Sequence, residues 1–148
     1  MAILGYTTGV FDLFHIGHLN LLKNAASQCD RLIVGVTTDE LALARKGKRP
    51  VIPFEERMAI VGALGCVSQV VPQADMDKYA AWERLKFDKM FVGDDWKGHP
   101  KWSQMERRFA LHGVEIVYFP YTHHVSSSHL RSIIDGEAGL GQAGMGLA

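Results

Sequence analysis

Five short runs of β-branched and apolar residues alternate with five segments of helical period, and this alternation leaves the chain few folds to choose from. The runs cover residues 3–7, 31–36, 67–71, 89–92 and 115–119; the helical segments cover 18–27, 54–64, 78–85, 102–111 and 127–134. A strand separated from the next by a helix cannot fold back through a tight turn, so the strands pair in parallel and the helices cross over the sheet. The pattern therefore predicts an α/β fold: a doubly wound, five-stranded parallel sheet with helices on both faces. Crossovers of one hand then place any ligand beyond the carboxyl ends of the strands, where the strand order reverses.

Residues with chemistry should accordingly fall just after strands, and they do. The first run leads into Gly9-Val-Phe-Asp-Leu-Phe-His-Ile-Gly-His18. A helix start there offers unpaired N–H groups and the positive end of the dipole, which suits a phosphate. Gly17 removes a Cβ that would hold an anion off the backbone. His15 and His18 are placed to donate hydrogen bonds to phosphoryl oxygens as charge shifts during transfer. A His-x-x-His pair alone is commonly structural; strand, turn, glycine and helix around it supply the context a phosphate site requires.

The other candidates follow the same rule. Arg45-Lys-Gly-Lys-Arg49 packs four positive charges into five residues ahead of Pro50 and reads as a loop. Charge runs are usually just solvated, but a loop here hangs over the edge of the site, where lysines suit phosphates that move during reaction. Pro53-Phe-Glu-Glu-Arg57 opens a helix with acids in its first turn, and Arg57 has the reach for an acidic partner or a phosphate. Gly93-Asp-Asp-Trp96 ends the fourth run, either as a polar turn or as backbone that reads a base edge beside an indole. Thr122-His-His-Val-Ser-Ser-Ser128 precedes the last helix and forms a second anion seat, with Arg131 one turn inward. No ligand spacing joins His123 and His124 to His15 and His18, so magnesium carried by a nucleotide is expected rather than a metal held by the protein.

Composition excludes several classes. Sixteen basic and sixteen acidic residues balance, so no global field draws nucleic acid. No apolar run approaches a membrane span, and the start, Met-Ala-Ile-Leu-Gly-Tyr, has no basic leader; a cytoplasmic protein is expected. Cys29 and Cys66 have no metal spacing and read as reduced core residues. The length of 148 residues fits one domain over 1–135, followed by a glycine-rich segment, 136–148, expected to be weakly held.

Together these residues resemble the nucleotidyltransferases with a His-x-Gly-His signature and, more narrowly, the cytidylyltransferases of the glycerol-3-phosphate and phosphocholine type. The resemblance spans residues 3–134 and rests on Gly9 to His18, the lysine loop, Arg57, Gly93 to Trp96 and the serine-rich segment to Ser128. It implies a Rossmann-like α/β fold and magnesium-assisted transfer of CMP from CTP to a phosphorylated alcohol, with release of pyrophosphate, by an enzyme that is often a homodimer. On this reading His15, His18 and Lys46 are catalytic, and Asp12, Lys48 and Arg57 bind the acceptor or the triphosphate. Thr8, Gly9, Val10, Phe11 and Gly17 then contact the nucleotide from one side. Gly93, Asp94, Asp95, Trp96, Thr122, Ser126, Ser127 and Ser128 contact it from the other.

The chain departs from that family at two places. Tyr121 stands where the signature Arg-Thr-Glu-Gly-Ile-Ser-Thr-Thr has its leading arginine, with His123 and His124 in place of Glu-Gly. Gly65 stands where many relatives carry an arginine. Charge-assisted phosphate bonds are the strong ones, so these losses leave the acceptor open, with Arg131 or the histidines as candidate replacements. Two alternatives remain: an adenylyltransferase using ATP on a phosphorylated sugar or cofactor precursor, and a nucleotide-binding regulator without turnover. The intact histidines and lysines speak against the regulator.

Overall fold

The computed structural model describes residues 2–93, 97–120 and 127–140. Strands β1 (Leu4–Gly9), β2 (Arg31–Thr37), β3 (Gln69–Gln73), β4 (Lys89–Gly93) and β5 (Glu115–Phe119) form one sheet in the order β3-β2-β1-β4-β5. Every pairing is parallel. Helices α1 (Ile16–Ala26), α2 (Asp39–Lys46), α3 (Phe54–Gly62), α4 (Lys78–Leu85), α5 (Pro100–Ala110) and α6 (Ser127–Leu140) connect and follow the strands. The doubly wound sheet expected from the alternation is thus observed. Its order reverses between β1 and β4, which directs attention to the carboxyl ends of those two strands.

Burial explains the pattern. In β2 every residue after Arg31 is buried, as a central parallel strand covered on both faces demands. Its side chains alternate between two cores: Leu32, Val34 and Val36 pack with Leu22 and Ala25 of α1 and Val61 of α3. Ile33 joins Tyr6, Ala81 of α4 and Phe109 of α5 on the other face. The edge strand β3 carries Pro72 opposite Val36. Gln73 O accepts from Thr38 N, so the alternation of backbone groups turns the hydrogen-less nitrogen of Pro72 to the outside of the sheet.

One helix departs from expectation. Where the charge run predicts a loop over 45–49, Arg45 and Lys46 form the last turn of α2. The Thr38 hydroxyl caps its start by accepting from Leu41 N at 3.1 Å, and Asp39 and Glu40 complement the dipole in the first turn. Gly47, left-handed at φ 75°, ends it by donating its N–H to Leu43 O. These local terms outweigh repulsion among neighbouring cations. Helix α6 also runs past residue 134, where the periodicity ends it, to Leu140. Among the described residues no helix is long and apolar enough to cross a membrane.

Candidate active site

A cavity of about 800 Å³ opens at the carboxyl ends of β1 and β4, the point where the strand order reverses. The end of β1 and the turn after it bring Thr8, Gly9, Val10, Phe11 and Asp12 to its wall, and the start of α1 brings His15, Gly17 and His18. Lys46 and Lys48 enter from the end of α2, Gly93 from β4 and Arg131 from α6. Candidates from four separated segments therefore share one space. Asp94, Asp95, Trp96, Thr122 and Ser126 lie outside the described residues, and Ser127 and Ser128 are described only as the first residues of α6.

The turn after β1 is built under strain. Phe11 and Leu13 both adopt left-handed backbone, at φ 55° and 50°, on either side of Asp12. Such conformations cost roughly 1–3 kcal/mol each in non-glycine residues and persist only where surroundings over-determine them. Here the buried Phe11 ring supplies part of that compensation, packing near Phe14 and edge-on to His18. The ring also explains Gly9: a Cβ there would stand 2.9 Å from the ring carbons of Phe11.

Helix α1 begins at Ile16, so His15 is its cap and His18 its third residue. His15 Nδ1 accepts from Gly17 N at 3.0 Å, and His18 Nδ1 accepts from His15 N at 3.3 Å. A neutral ring that accepts at Nδ1 carries its proton on Nε2, so both imidazoles present Nε2–H as donor. Their rings stack with centroids 4.0 Å apart. Burial pushes the pKa of His15 down, and burial followed by repulsion from His15 takes that of His18 to about 4. At neutral pH the pair is thus two uncharged N–H donors at a helix start. Positive charge must come from elsewhere, and Lys46, Lys48 and Arg131 are the cations of the cavity wall.

Three charged side chains of the predicted site are engaged with the protein. Asp12 is buried, its Oδ2 accepting from Val51 N and its Oδ1 from Ile52 N, both at 2.8 Å. Arg131 Nη1 stands 4.0 Å from Asp12 Oδ2, while its Nη2 donates to Arg49 O at 2.9 Å. Arg57 corrects the expectation of a substrate-binding residue. It is 1% exposed, does not line the cavity, and donates to Ile52 O, Val10 O, Thr37 O and Asp39 Oδ1 at 2.6–2.8 Å. Its donor directions point into the protein, where the ion pair and three carbonyls stabilise its buried charge.

Gly65 also differs from expectation. It lies between α3 and β3, on the connection that enters the sheet at the amino end of β3, and it does not line the cavity. An arginine absent at this position takes no charge from the cavity wall of this chain.

A residue that sequence reasoning passed over is Lys78, the first residue of α4. It is 5% exposed, and its Nζ donates to Thr8 Oγ1 at 2.8 Å, immediately behind the cavity. Burial, helped by the nearby Arg45, lowers its pKa to about 8. The only signal in the sequence is a lysine directly after the capping Asp77, which reads as a solvated helix start.

An open parallel sheet with this donor and cation set at its switch point suits a phosphate-bearing nucleotide, and the sequence places the chain among the nucleotidyltransferases. The chain belongs to the cytidylyltransferase-like family, whose profile matches residues 6–133. It is 34% identical over 126 residues to glycerol-3-phosphate cytidylyltransferase of Bacillus spizizenii, covering 84% of this chain and 92% of that protein. It is 45% identical over 92 residues to the bifunctional protein HldE of Aeromonas hydrophila, covering 62% of this chain but 19% of HldE. The similarity to HldE therefore concerns about a fifth of that longer protein. Among solved structures, the lipopolysaccharide core biosynthesis protein from Thermoplasma volcanium superposes with a TM-score of 0.67 at 23% identity, over 82% of this chain and 98% of that one. Pantoate-beta-alanine ligase from Francisella tularensis does so at 0.61 and 12% identity, over 97% of this chain and 74% of that one. These two likenesses are of fold.

Proposed function

We propose that this enzyme transfers CMP from CTP to a phosphorylated alcohol of the glycerol 3-phosphate kind and releases pyrophosphate. The observation that carries the reading is the meeting of a neutral histidine pair with Lys46, Lys48 and Arg131 in one cavity at the switch point. An oxygen of the acceptor phosphate attacks the α-phosphorus in line, the bond from that phosphorus to the bridging oxygen breaks, and pyrophosphate leaves with the electron pair. Acceptor phosphates are already ionised at pH 7, so a strong general base is unnecessary and no covalent enzyme intermediate is involved. His15 and His18 donate from Nε2 to oxygens on which charge develops, and the lysines and Arg131 hold the flanking phosphates. Gly93, on the cavity wall, approaches the base. Magnesium, carried as the chelate of the triphosphate, would supply neutralising charge there.

The substrate pair rests on the similarity to the Bacillus enzyme over most of both chains. A second reading, adenylyl transfer from ATP, keeps the same histidines and cations and differs in the base the site accepts. Pyrophosphate release decides between them, measured with CTP, ATP, UTP and GTP against glycerol 3-phosphate, phosphocholine and sugar phosphates. Release with CTP and glycerol 3-phosphate is the expected result. Release with ATP alone overturns the cytidylyl reading, and no release with any pair favours a regulator.

A further inference from the structure

We infer that Asp12 and Arg57 are positioning residues for the transfer: they tie the lysine-bearing segment to the histidine turn and so set the aim of Lys46 and Lys48. The inference rests on the reading of those lysines as phosphate ligands.

The residues from Leu43 to Arg49 are all exposed, and long lysine chains on such a segment have many rotamers to choose from. Its far end is nevertheless tied down. Val51 N and Ile52 N both donate to the Asp12 carboxylate at 2.8 Å. Asp12 itself sits between the two left-handed residues of the histidine turn, so a strained backbone directs this carboxylate at the segment. Arg57 completes the tie by taking Ile52 O at 2.8 Å, which leaves Ile52 held at both its N–H and its C=O.

The same guanidinium reaches the beginning of the lysine-bearing unit. It donates to Thr37 O, at the end of β2, and pairs with Asp39, the first residue of α2. A further bond goes to Val10 O in the histidine turn. One buried side chain therefore fixes where α2 starts, where the segment after it ends, and where the histidine turn lies relative to both. An ion pair with Asp39 alone needs no such arrangement. Three carbonyls from three segments of the site require the planar, many-donor fork of arginine, which lysine cannot reproduce.

Asp12→Asn and Arg57→Lys test this, with circular dichroism checking that each variant is folded at the assay temperature. The amide of Asp12→Asn keeps the size but turns an NH₂ against one of the two backbone N–H groups. In pyrophosphate release, kcat should fall about 100-fold while KM for the nucleotide moves by less than about threefold, as for groups misplaced by an ångström or so. Trypsin should cut the folded variants after Lys46 and Lys48 at least about tenfold faster than the unaltered protein, a reading of the tether that does not depend on turnover. Combined with Lys46→Ala and Lys48→Ala, Asp12→Asn should cost less than about threefold more, because no aim is left to lose.

A full 100-fold loss in the lysine-free background overturns the inference and makes Asp12 a direct contact of the reactants. Unchanged kcat, or unchanged cleavage, in a folded Asp12→Asn variant also overturns it. If Lys46→Ala and Lys48→Ala retain full turnover, the reading of the lysines fails and positioning falls with it; the trypsin result still shows separately whether the tether exists. Should Arg57→Lys not fold, Asp12→Asn decides alone.

Discussion

His15 and His18 each commit Nδ1 to a backbone amide, and this decides what the pair contributes to chemistry. On the proposed function they act as uncharged donors, whose value lies in the transition state rather than in drawing the triphosphate to the site. His18→Ala should lower kcat by about 10²–10³-fold with a small change in KM, read from steady-state pyrophosphate release. The pKa of His18 also links to stability. Folded, it lies near 4, below the ordinary value of 6.5, so between these values the unfolded chain binds more protons. The stability contributed by the neutral ring is complete above pH 6.5 and lost as pH falls towards 4. Urea unfolding at pH 7 and pH 5 should differ by on the order of 1–2 kcal/mol from this group, and His18→Asn should reduce the difference. Lys78 shows the opposite compromise, a charge kept in the interior beside Thr8. Lys78→Met should raise stability at pH 7 by about 1–3 kcal/mol and lower turnover, checked by thermal melts beside the release assay. Neither the burial of Lys78 nor that of Arg57 is legible in the sequence. Both sit at helix starts, where a charged residue is ordinarily solvated, and only the packing of distant strands shows that these two are enclosed.

At the scale of elements, reading succeeded where side-chain period speaks and failed where backbone or capping decides. β1 runs two residues past its expected end because Thr8 and Gly9, without apolar character, pair in register with Gly35 and Val36; β2 runs on to Thr37. Helix α1 starts two residues before residue 18 because its cap is a histidine, which is not among the usual capping residues. Helix α2 was missed although Thr38, Asp39, Glu40 and Gly47 carry its start and stop signals, since a dense cationic run argued more loudly for a loop. The candidate histidines and lysines nonetheless line one cavity, because the rule that ligands gather at strand ends depends on topology and not on exact boundaries. The left-handed Gly47 yields a further expectation. Gly47→Ala should destabilise the protein by about 1 kcal/mol in denaturant unfolding and lower activity through the displaced Lys48.

For the molecule as a whole, the site is assembled from β1, α1, α2, β4 and α6, so a ligand that bridges them favours the folded chain. At a concentration of about 100 Kd, a nucleotide should add roughly 2.7 kcal/mol, a rise of roughly 5–10 °C in melting temperature for a chain of this size. CTP should give the larger rise and ATP the smaller at equal concentration, and the reverse order would count against the cytidylyl reading. The outer rim of β3 has a consequence of another kind. With the Pro72 nitrogen turned outwards, that rim lacks a donor at mid-strand and offers an incoming chain no continuous template. Crowded or newly made copies are thereby deprived of one seed for fibril growth, since backbone pairing along this border is interrupted at Pro72.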